Sequence, residues 1–210
     1  MILTTWGYSI IDPDATVLED MLTQAEFDEF TANKYALETE RIGREIKAAC
    51  GAIRNYVGWH LSPSLACEMK TTLYDERITW VRGEMLIQLP ARFVSSVESV
   101  MIGGFGHESY VIDSNGLLRV YGISRHILPR HTEVAIQYTA GLTEDMMSTV
   151  KELIAHRVIH SVAVPAGITS EASGGVSVTY NANWINSARA TALPDDNKEV
   201  LAPFRLQGVF

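Results

Sequence analysis

The chain has 210 residues, of which 47% are hydrophobic and 20% are charged. This composition is typical of a globular protein with a real core, and the length fits one compact domain or a helical domain with a moderate insertion. The 17 Lys and Arg against 25 Asp and Glu leave a formal net charge of −8, which disfavours tight, sequence-specific binding of nucleic acid.

The two cysteines indicate no metal or disulfide framework. Cys50 and Cys67 lie in no CxxC motif and beside no His/Cys cluster, so neither is predicted to bind zinc. Cys50 falls on the apolar face of a predicted helix, as a small buried hydrophobe.

No apolar run approaches the length of a membrane span, and the N-terminus lacks a basic n-region and a cleavage site. We therefore expect a reduced, soluble protein made inside the cell.

Residues 1–33 are expected to be helical and acidic, with two alternative helix starts. Asp12 followed by Pro13 suits an N-cap with proline at the first helical position. Thr23 and Glu26 offer a competing capping box.

Residues 34–59 have the clearest helical periodicity in the chain. Their apolar side chains fall on one narrow face, formed by Ile42, Ile46, Ala49, Cys50, Ile53 and Val57. Gly58 suits the C-terminal end of this helix, and Ser62 followed by Pro63 prevents its continuation. The apolar face needs a partner, and the helix that begins near Thr143 is the best candidate.

Between Leu65 and Gly141 the apolar period changes from helical to two, which predicts strands. The predicted strands cover residues 69–74, 85–89, 97–102, 109–112, 117–121 and 134–138. Asn115 and Gly116 form a strong turn signal, so residues 110–121 are predicted to be a hairpin. No helices alternate with these strands, which argues against a parallel, doubly wound sheet.

Residues 134–162 are predicted to be a strand, a glycine turn and a long amphipathic helix. Gly141 would permit a left-handed or otherwise unusual backbone, and Thr143 suits the N-cap ahead of two acidic residues. The apolar residues at helical spacing are Met147, Val150, Leu153, Ile154 and Val158. This stretch holds no nucleophile, metal set or phosphate loop, so we interpret it as a scaffold for assembly.

The C-terminal segment begins with a small, polar, glycine-rich stretch over residues 165–175, which predicts a mobile loop. A strand over residues 175–180 and a short helix capped by Asp195 or Asp196 are predicted to follow. The last residues, up to Phe210, are apolar and should dock either on the core or on a neighbour.

The predicted fold class is α+β: a small helical bundle with an inserted antiparallel β-rich domain and an extended C-terminal arm ending in a short helix. Its parts are the helical residues 1–64, the β-rich residues 65–141, the long helix of residues 142–164 and the arm of residues 165–210.

The sequence contains no complete motif for metal binding, phosphate binding or nucleophilic catalysis. His156 and His160 share a helix face and suggest a metal site, but Arg157 stands where a zincin motif has glutamate, and no third ligand is evident. The sequence GGFG at residues 103–106 has no helix signal and no Lys-Ser/Thr pair after it, so it predicts a turn between strands rather than a phosphate loop. A Gly-x-Ser-x-Gly motif is absent. We therefore expect no catalytic residue, metal or cofactor.

Two residues suggest contacts instead. Arg157 projects toward the apolar stripe of its helix, where an unpaired guanidinium would be costly. Its acidic partner belongs either to a neighbouring subunit or to a helix of the same chain, and both alternatives stay open. Trp184, in a polar arm, is either a contact anchor or a lid over the sheet.

Several stretches, taken in order, resemble the head–tail connector (adaptor) proteins of long-tailed bacteriophages. They are IKAACGAIRNYVGWHLSP (46–63), IQLPARFVSSVESVMIGG (87–104), YVIDSNGLLRV (110–120) and VAIQYTAGLTEDMMSTVKELIAHR (134–157). GGVSVTY (174–180) and the short helix after it also fit. The order of these motifs carries the resemblance, which covers most of the chain.

The resemblance implies a non-enzymatic virion protein, made in the host cytoplasm, that forms a ring beneath the portal at the neck. Such rings are usually twelve-fold, extend the DNA channel and receive the next neck or tail protein, while DNA passes without sequence-specific binding. The expected subunit or portal interface comprises Arg157, Trp184, Asp195, Phe204, Arg205 and Phe210. Deletion of residues 194–210 is expected to abolish docking to heads and to leave the fold intact.

Two other functions stay open from the residues alone. One is a small metal-dependent hydrolase that uses His156 and His160. The other is a ligand-binding module formed by the β-rich residues 65–140.

Overall fold

The computed structural model describes residues 1–13, 17–35, 39–113, 115–124, 127–163, 170–173, 176–179 and 193–206. Helices and antiparallel sheets are both present, so the predicted α+β class is confirmed. The chain forms two compact units. The first contains Met1–Glu19, Gly58–Thr143 and Phe204–Phe210, and the second contains Asp20–Val57 and Glu144–Pro203.

The first unit is built on a six-stranded antiparallel sheet. Its strand order is β1 (Ile2–Leu3), β2 (Ser9–Ile10), β3 (Leu65–Thr72), β10 (Glu133–Ala140), β6 (Val94–Ile102) and β7 (Phe105–Gly106). Along β10, Val134, Ile136 and Tyr138 are fully buried while the residues between them are partly exposed. This alternation is the predicted period of two, because successive side chains of a strand point to opposite faces.

A four-stranded sheet completes the first unit, in the order β4 (Ile78–Val81), β5 (Glu84–Gln88), β9 (Leu117–Val120) and β8 (Tyr110–Ile112). The predicted hairpin is confirmed, since Tyr110 lies opposite Val120. Asp113 Oδ1 accepts hydrogen bonds from the amides of Asn115 and Leu117 at 2.8 and 2.9 Å, which closes the turn. The sequence pattern missed β4.

The prediction that residues 1–33 are helical is wrong for the first ten residues. They form β1 and β2, and β2 pairs with β3 through Ser9 opposite Glu68. The helix start at Asp12 is also wrong, because the described residues 12, 13 and 17–22 are not helical. The competing start is confirmed: helix α1 (Gln24–Phe30) follows Thr23, whose side chain forms a complete capping box with Glu26.

The second unit contains α1, α2 (Thr39–Val57), α3 (Glu144–Ala163) and α4 (Asp195–Leu201). All six residues of the predicted apolar face of α2 are buried, none more than 2% exposed. Helix α3 packs against α2 as predicted, and Arg41 Nη2 donates to the carbonyl of Ser161 at 2.7 Å. Helix α2 begins later than predicted, because residues 31–35 form turns in which Ala32 and Asn33 have positive φ.

The C-terminal predictions are partly confirmed. The strand β12 (Val176–Thr179) lies within the predicted range and pairs with β11 (Ser170–Ser173), so the loop prediction is wrong over residues 170–173. The predicted aspartate cap of α4 is also wrong. Pro194 occupies the N-cap without a side-chain hydrogen bond, and both aspartates lie in the first turn, where their negative charge stabilises the positive end of the helix dipole.

Within the described part of the chain, no helix is both long and apolar enough to cross a bilayer.

Candidate functional site

The base of the β-rich unit, where the chain enters β3 and leaves β10, is closely packed. Leu65 lies opposite Ala140, and the amide of Leu142 donates to the carbonyl of Leu61 at 2.8 Å. A Cβ on Gly141 would lie only 2.3 Å from the Cα of Ser64. Gly141 is not among the glycines with positive φ, so the left-handed backbone that glycine would permit is not adopted there. The glycine is needed because the two backbones approach closely.

A buried histidine occupies the same base. His60 is 0% exposed, with Nε2 2.9 Å from the carbonyl of Ala140 and Nδ1 2.7 Å from the hydroxyl of Tyr8. A carbonyl only accepts hydrogen bonds, so Nε2 carries the proton and Nδ1 accepts from Tyr8. In the neutral imidazole, these two contacts select the tautomer that is protonated on Nε2.

Two further polar groups of this core are unsuited to chemistry at neutral pH. Burial raises the pKa of the Cys67 thiol to about 12. Burial also raises the pKa of the Tyr138 hydroxyl well above its ordinary value, and the hydroxyl has no hydrogen-bond partner among the described residues. Both groups stay protonated and buried, so neither serves as a nucleophile.

Residues 204 and 205, near the end of the C-terminal segment, pack within the first unit. Trp59 Nε1 donates to the carbonyl of Phe204 at 2.8 Å, and Arg92 Nη1 donates to the carbonyl of Arg205 at 3.1 Å. The ring of Phe93 lies 6.2 Å from that of Trp59 and 6.0 Å from that of Phe204. Residues 204 and 205 therefore pack on the core of the same chain. Val209 and Phe210 of the apolar terminus lie outside the described residues, so where they dock stays a prediction.

This docking corrects the expected effect of deleting residues 194–210. Leu201 is 0% exposed in the second unit, and Phe204 is held by Trp59 in the first. Removing them would expose apolar surface and leave the indole N–H without its acceptor. The deletion would therefore disturb the fold as well as any docking.

Two of the other predicted interface residues have interactions within the chain. Arg157 is half-buried: burial lowers the pKa of its guanidinium, and the negative charge of Glu45 on α2 raises it. Asp195 is exposed and pairs with Lys198 at 2.8 Å. Trp184 and Phe210 lie outside the described residues. The role of these residues in an interface stays a prediction.

The two histidines of the suggested metal motif lie on α3. The exposed ring of His156 contacts the ring of Phe30 edge-on, with centroids 5.5 Å apart. Burial, followed by the charge of His156, lowers the pKa of His160. Within the described ranges, no three His, Cys, Asp or Glu residues are grouped as metal ligands would be. Of the GGFG stretch, Gly103 and Gly104 form the tight turn between β6 and β7, with φ of 59° and 83°, and Phe105–Gly106 are β7.

A cleft in the first unit was not indicated by any sequence pattern. It has a volume of about 640 Å³ and is lined by residues 98–101, 106–110, 121 and 122. We call it the acidic cleft, because Glu98 and Glu108 line it. Its walls come from three separate stretches that only the pairing of β6 with β7 and of β8 with β9 brings together.

The described side chains thus provide packed interfaces, several ion pairs and one cleft with two carboxylates. Compared with protein-family models and with curated proteins, the chain gives no match.

Proposed function

We propose that the chain is a structural subunit of a tailed-bacteriophage virion, a head–tail connector that forms a ring beneath the portal. The observation that carries the proposal is the order of the resembling stretches along the fold. They fall on the C-terminal half of α2, on β5 and β6, on the β8–β9 hairpin, and on β10 with α3. The β-rich insertion between two packed helices is the architecture that the resemblance implies.

The described surface supports a protein that works in an assembly. Large apolar side chains are exposed on both units, and the most exposed are Ile127, Leu3, Met1, Phe105 and Val17, each above 70%. In an assembly, such side chains are available for contacts with other subunits. The net charge of −8 suits a channel wall that DNA slides past without being held, because each neutralised phosphate would add affinity.

In this proposal the chain assembles with copies of itself, twelve by resemblance, and is not an enzyme. The portal protein lies on one side of the ring and the next neck or tail protein on the other. The protein acts in the virion after its synthesis in the host cytoplasm.

The proposal is tested by the mass of the purified chain, alone and mixed with the purified portal ring of the same phage. Light scattering coupled to gel filtration should show a complex with several copies of the chain per portal ring. A monomer in isolation is compatible with the proposal, since assembly can depend on docking. If the chain and the portal ring elute separately at micromolar concentrations, the proposed function is wrong.

The role of the C-terminal arm is tested separately, with a substitution that spares the core. Val200 on α4 is 42% exposed, so Val200→Asp leaves the packing intact and places a charge on the arm. We expect it to weaken the portal complex about tenfold or more, as for a residue in the core of an interface. The matched control is Val111→Asp on β8, where the valine is 56% exposed. If both variants bind the portal equally well, the arm is not part of the interface.

The metal-dependent hydrolase remains the second candidate, motivated by His156 and His160 on one face of α3. Metal analysis of the purified chain separates it from a connector. Stoichiometric zinc that disappears in His156→Ala would favour the hydrolase and contradict the structural role.

A further inference from the structure

We propose that the acidic cleft is a docking site for an arginine side chain presented by a loop or arm of a partner protein. The volume of about 640 Å³ lies within the range of about 300–1,000 Å³ found for ligand pockets. The lining contains two carboxylates, Glu98 and Glu108, and no Lys or Arg. The charge of the cleft is therefore complementary to a cation.

Glu98 is held in place before any ligand arrives. Its Oε1 accepts a hydrogen bond from the hydroxyl of Thr139 at 2.8 Å and a second from the hydroxyl of Ser96. These two hydrogen bonds restrict the rotamers of the Glu98 side chain. A cation that pairs with Glu98 thus loses less conformational entropy than it would on a free glutamate.

The apolar part of the lining favours arginine over lysine. Tyr121 and Met101 line the cleft, and each residue is 36% exposed. The ring of Tyr110 is fixed by a hydrogen bond from its hydroxyl to the carbonyl of Val97 at 3.0 Å. A guanidinium is planar, stacks on aromatic surface and is more weakly hydrated than an ammonium group. A cleft with carboxylates and tyrosines therefore fits arginine best.

The geometry of β6 excludes the other common way of binding a peptide at a sheet edge, the addition of a strand. Met101 and Ile102 pair with β7 as well as with β10. The earlier residues of β6 have a strand partner on one side only, which is β10. However, the carbonyls of Val100 and Val97 already accept hydrogen bonds from His107 and Tyr110. The ladder with β10 also contains two register shifts, and such bulges protect edges from added strands. Recognition must therefore use side chains.

The test is a titration of the full-length, 15N-labelled chain with Nα-acetyl-arginine amide, followed by amide chemical shifts. We expect saturable shifts confined to residues 98–101 and 106–110, with a Kd on the order of 1 mM for a ligand of about 15 non-hydrogen atoms. The citrulline analogue, which has the same shape without the charge, should give no saturable shifts. The lysine analogue should bind several-fold more weakly.

Paired variants show whether the carboxylates carry the binding. Glu98→Gln combined with Glu108→Gln should weaken arginine binding at least about tenfold, and the glutamine oxygen at position 98 still accepts from Ser96 and Thr139. The control combines Glu76→Gln and Glu133→Gln, two exposed positions outside the cleft with the same change in net charge.

Four results would overturn the proposal: no localised shifts, equal shifts with citrulline, lysine binding as tight as arginine, or undiminished binding by the cleft variant. The titration uses the isolated chain, so its outcome does not depend on the proposed connector function.

Discussion

At the scale of single residues, Arg157 shows how a charge on an apolar helix stripe is accommodated. The sequence predicted that Arg157 needs an acidic partner and left open whether that partner is in the same chain. In the structure, Glu45 on the neighbouring helix α2 acts on the half-buried guanidinium. The negative charge of Glu45 favours the charged form of Arg157, and a contact with another subunit remains a separate prediction.

The first prediction concerns this pair. Arg157→Glu should lower the free energy of unfolding by about 1 kcal/mol, because two carboxylates then face each other, and Glu45→Arg in the same chain should restore most of it. Thermal unfolding of the natural chain, the two single variants and the double variant measures the coupling energy between residues 45 and 157. Arg44→Glu, on the exposed side of α2, should change stability by less than about 0.5 kcal/mol. Strictly additive effects of the two reversals would show that the charges do not interact.

The second prediction concerns the tautomer of His60. Tyr8→Phe removes the hydroxyl that donates to Nδ1 of His60. The buried Nδ1 then lacks the hydrogen bond from this hydroxyl. We expect a loss of about 1–3 kcal/mol in the free energy of unfolding, measured in urea. Tyr121→Phe is the control, since Tyr121 is 36% exposed, and should be nearly neutral. A neutral Tyr8→Phe would contradict the assigned hydrogen bond.

At the scale of elements, two glycines differ in whether the structure has room for a side chain. Gly43 lies exposed in α2 with no atom within 4 Å of an added Cβ, whereas a Cβ on Gly141 would meet the backbone of Ser64. We predict that Gly43→Ala stabilises the protein by about 0.5–1 kcal/mol through helix propensity. Gly141→Ala should destabilise it by about 3 kcal/mol, because backbone must move. Chemical denaturation of both variants checks the pair, and a tolerated Gly141→Ala would contradict the close approach at the base.

The fourth prediction concerns the link between α1 and α3. Lys151 Nζ lies 2.7 Å from carboxylate oxygens of both Glu26 and Glu144. The hydrogen bond from Lys151 is the largest cause that lowers the pKa of Glu26, and the hydrogen bond to Glu144 is the largest that raises the pKa of Lys151. The stabilisation is therefore present above the unfolded pKa of glutamate and below that of lysine.

Lys151→Met should consequently cost about 0.5–1 kcal/mol at pH 7, a small value because Glu26 is partly exposed. The difference from the natural chain should shrink as the pH falls below the unfolded pKa of glutamate and through the lowered pKa of Glu26. Denaturant unfolding between pH 3 and pH 8 measures it. Lys47→Met, at an exposed position of α2, should show no such pH dependence. An unchanged difference at pH 3 would show that charge is not the cause.

At the scale of the whole molecule, the charge predicts how the protein treats DNA. With a net charge of −8, we expect binding to double-stranded DNA weaker than about 10⁻⁴ M at physiological salt, the weak end of non-specific binding. A gel shift beside a basic, non-specific DNA-binding protein checks this. Micromolar binding that weakens steeply with salt would contradict a channel wall past which DNA slides.

The parts of the fold predicted from the sequence are those specified by local periodicity. The buried face of α2, the Thr23 capping box and the hairpin at Asn115 and Gly116 each depend on residues within about one turn or one pair of strands. The N-terminal strands were missed because residues 2–3 and 9–10 are too short to show a period. Among the described strands, β1 pairs only with β2, and β2 pairs with β3, which lies more than fifty residues further along the chain.

By itself the sequence determined the α+β class, the long helices and the order of the motifs that resemble a connector, because these depend on neighbouring residues. Only the tertiary structure decided what the polar groups do. It placed Glu45 near Arg157, enclosed His60 between Tyr8 and Ala140, and formed the acidic cleft from three separate stretches. Contacts of that kind join residues far apart in the chain, and their partners are chosen by strand pairing and helix packing rather than by spacing.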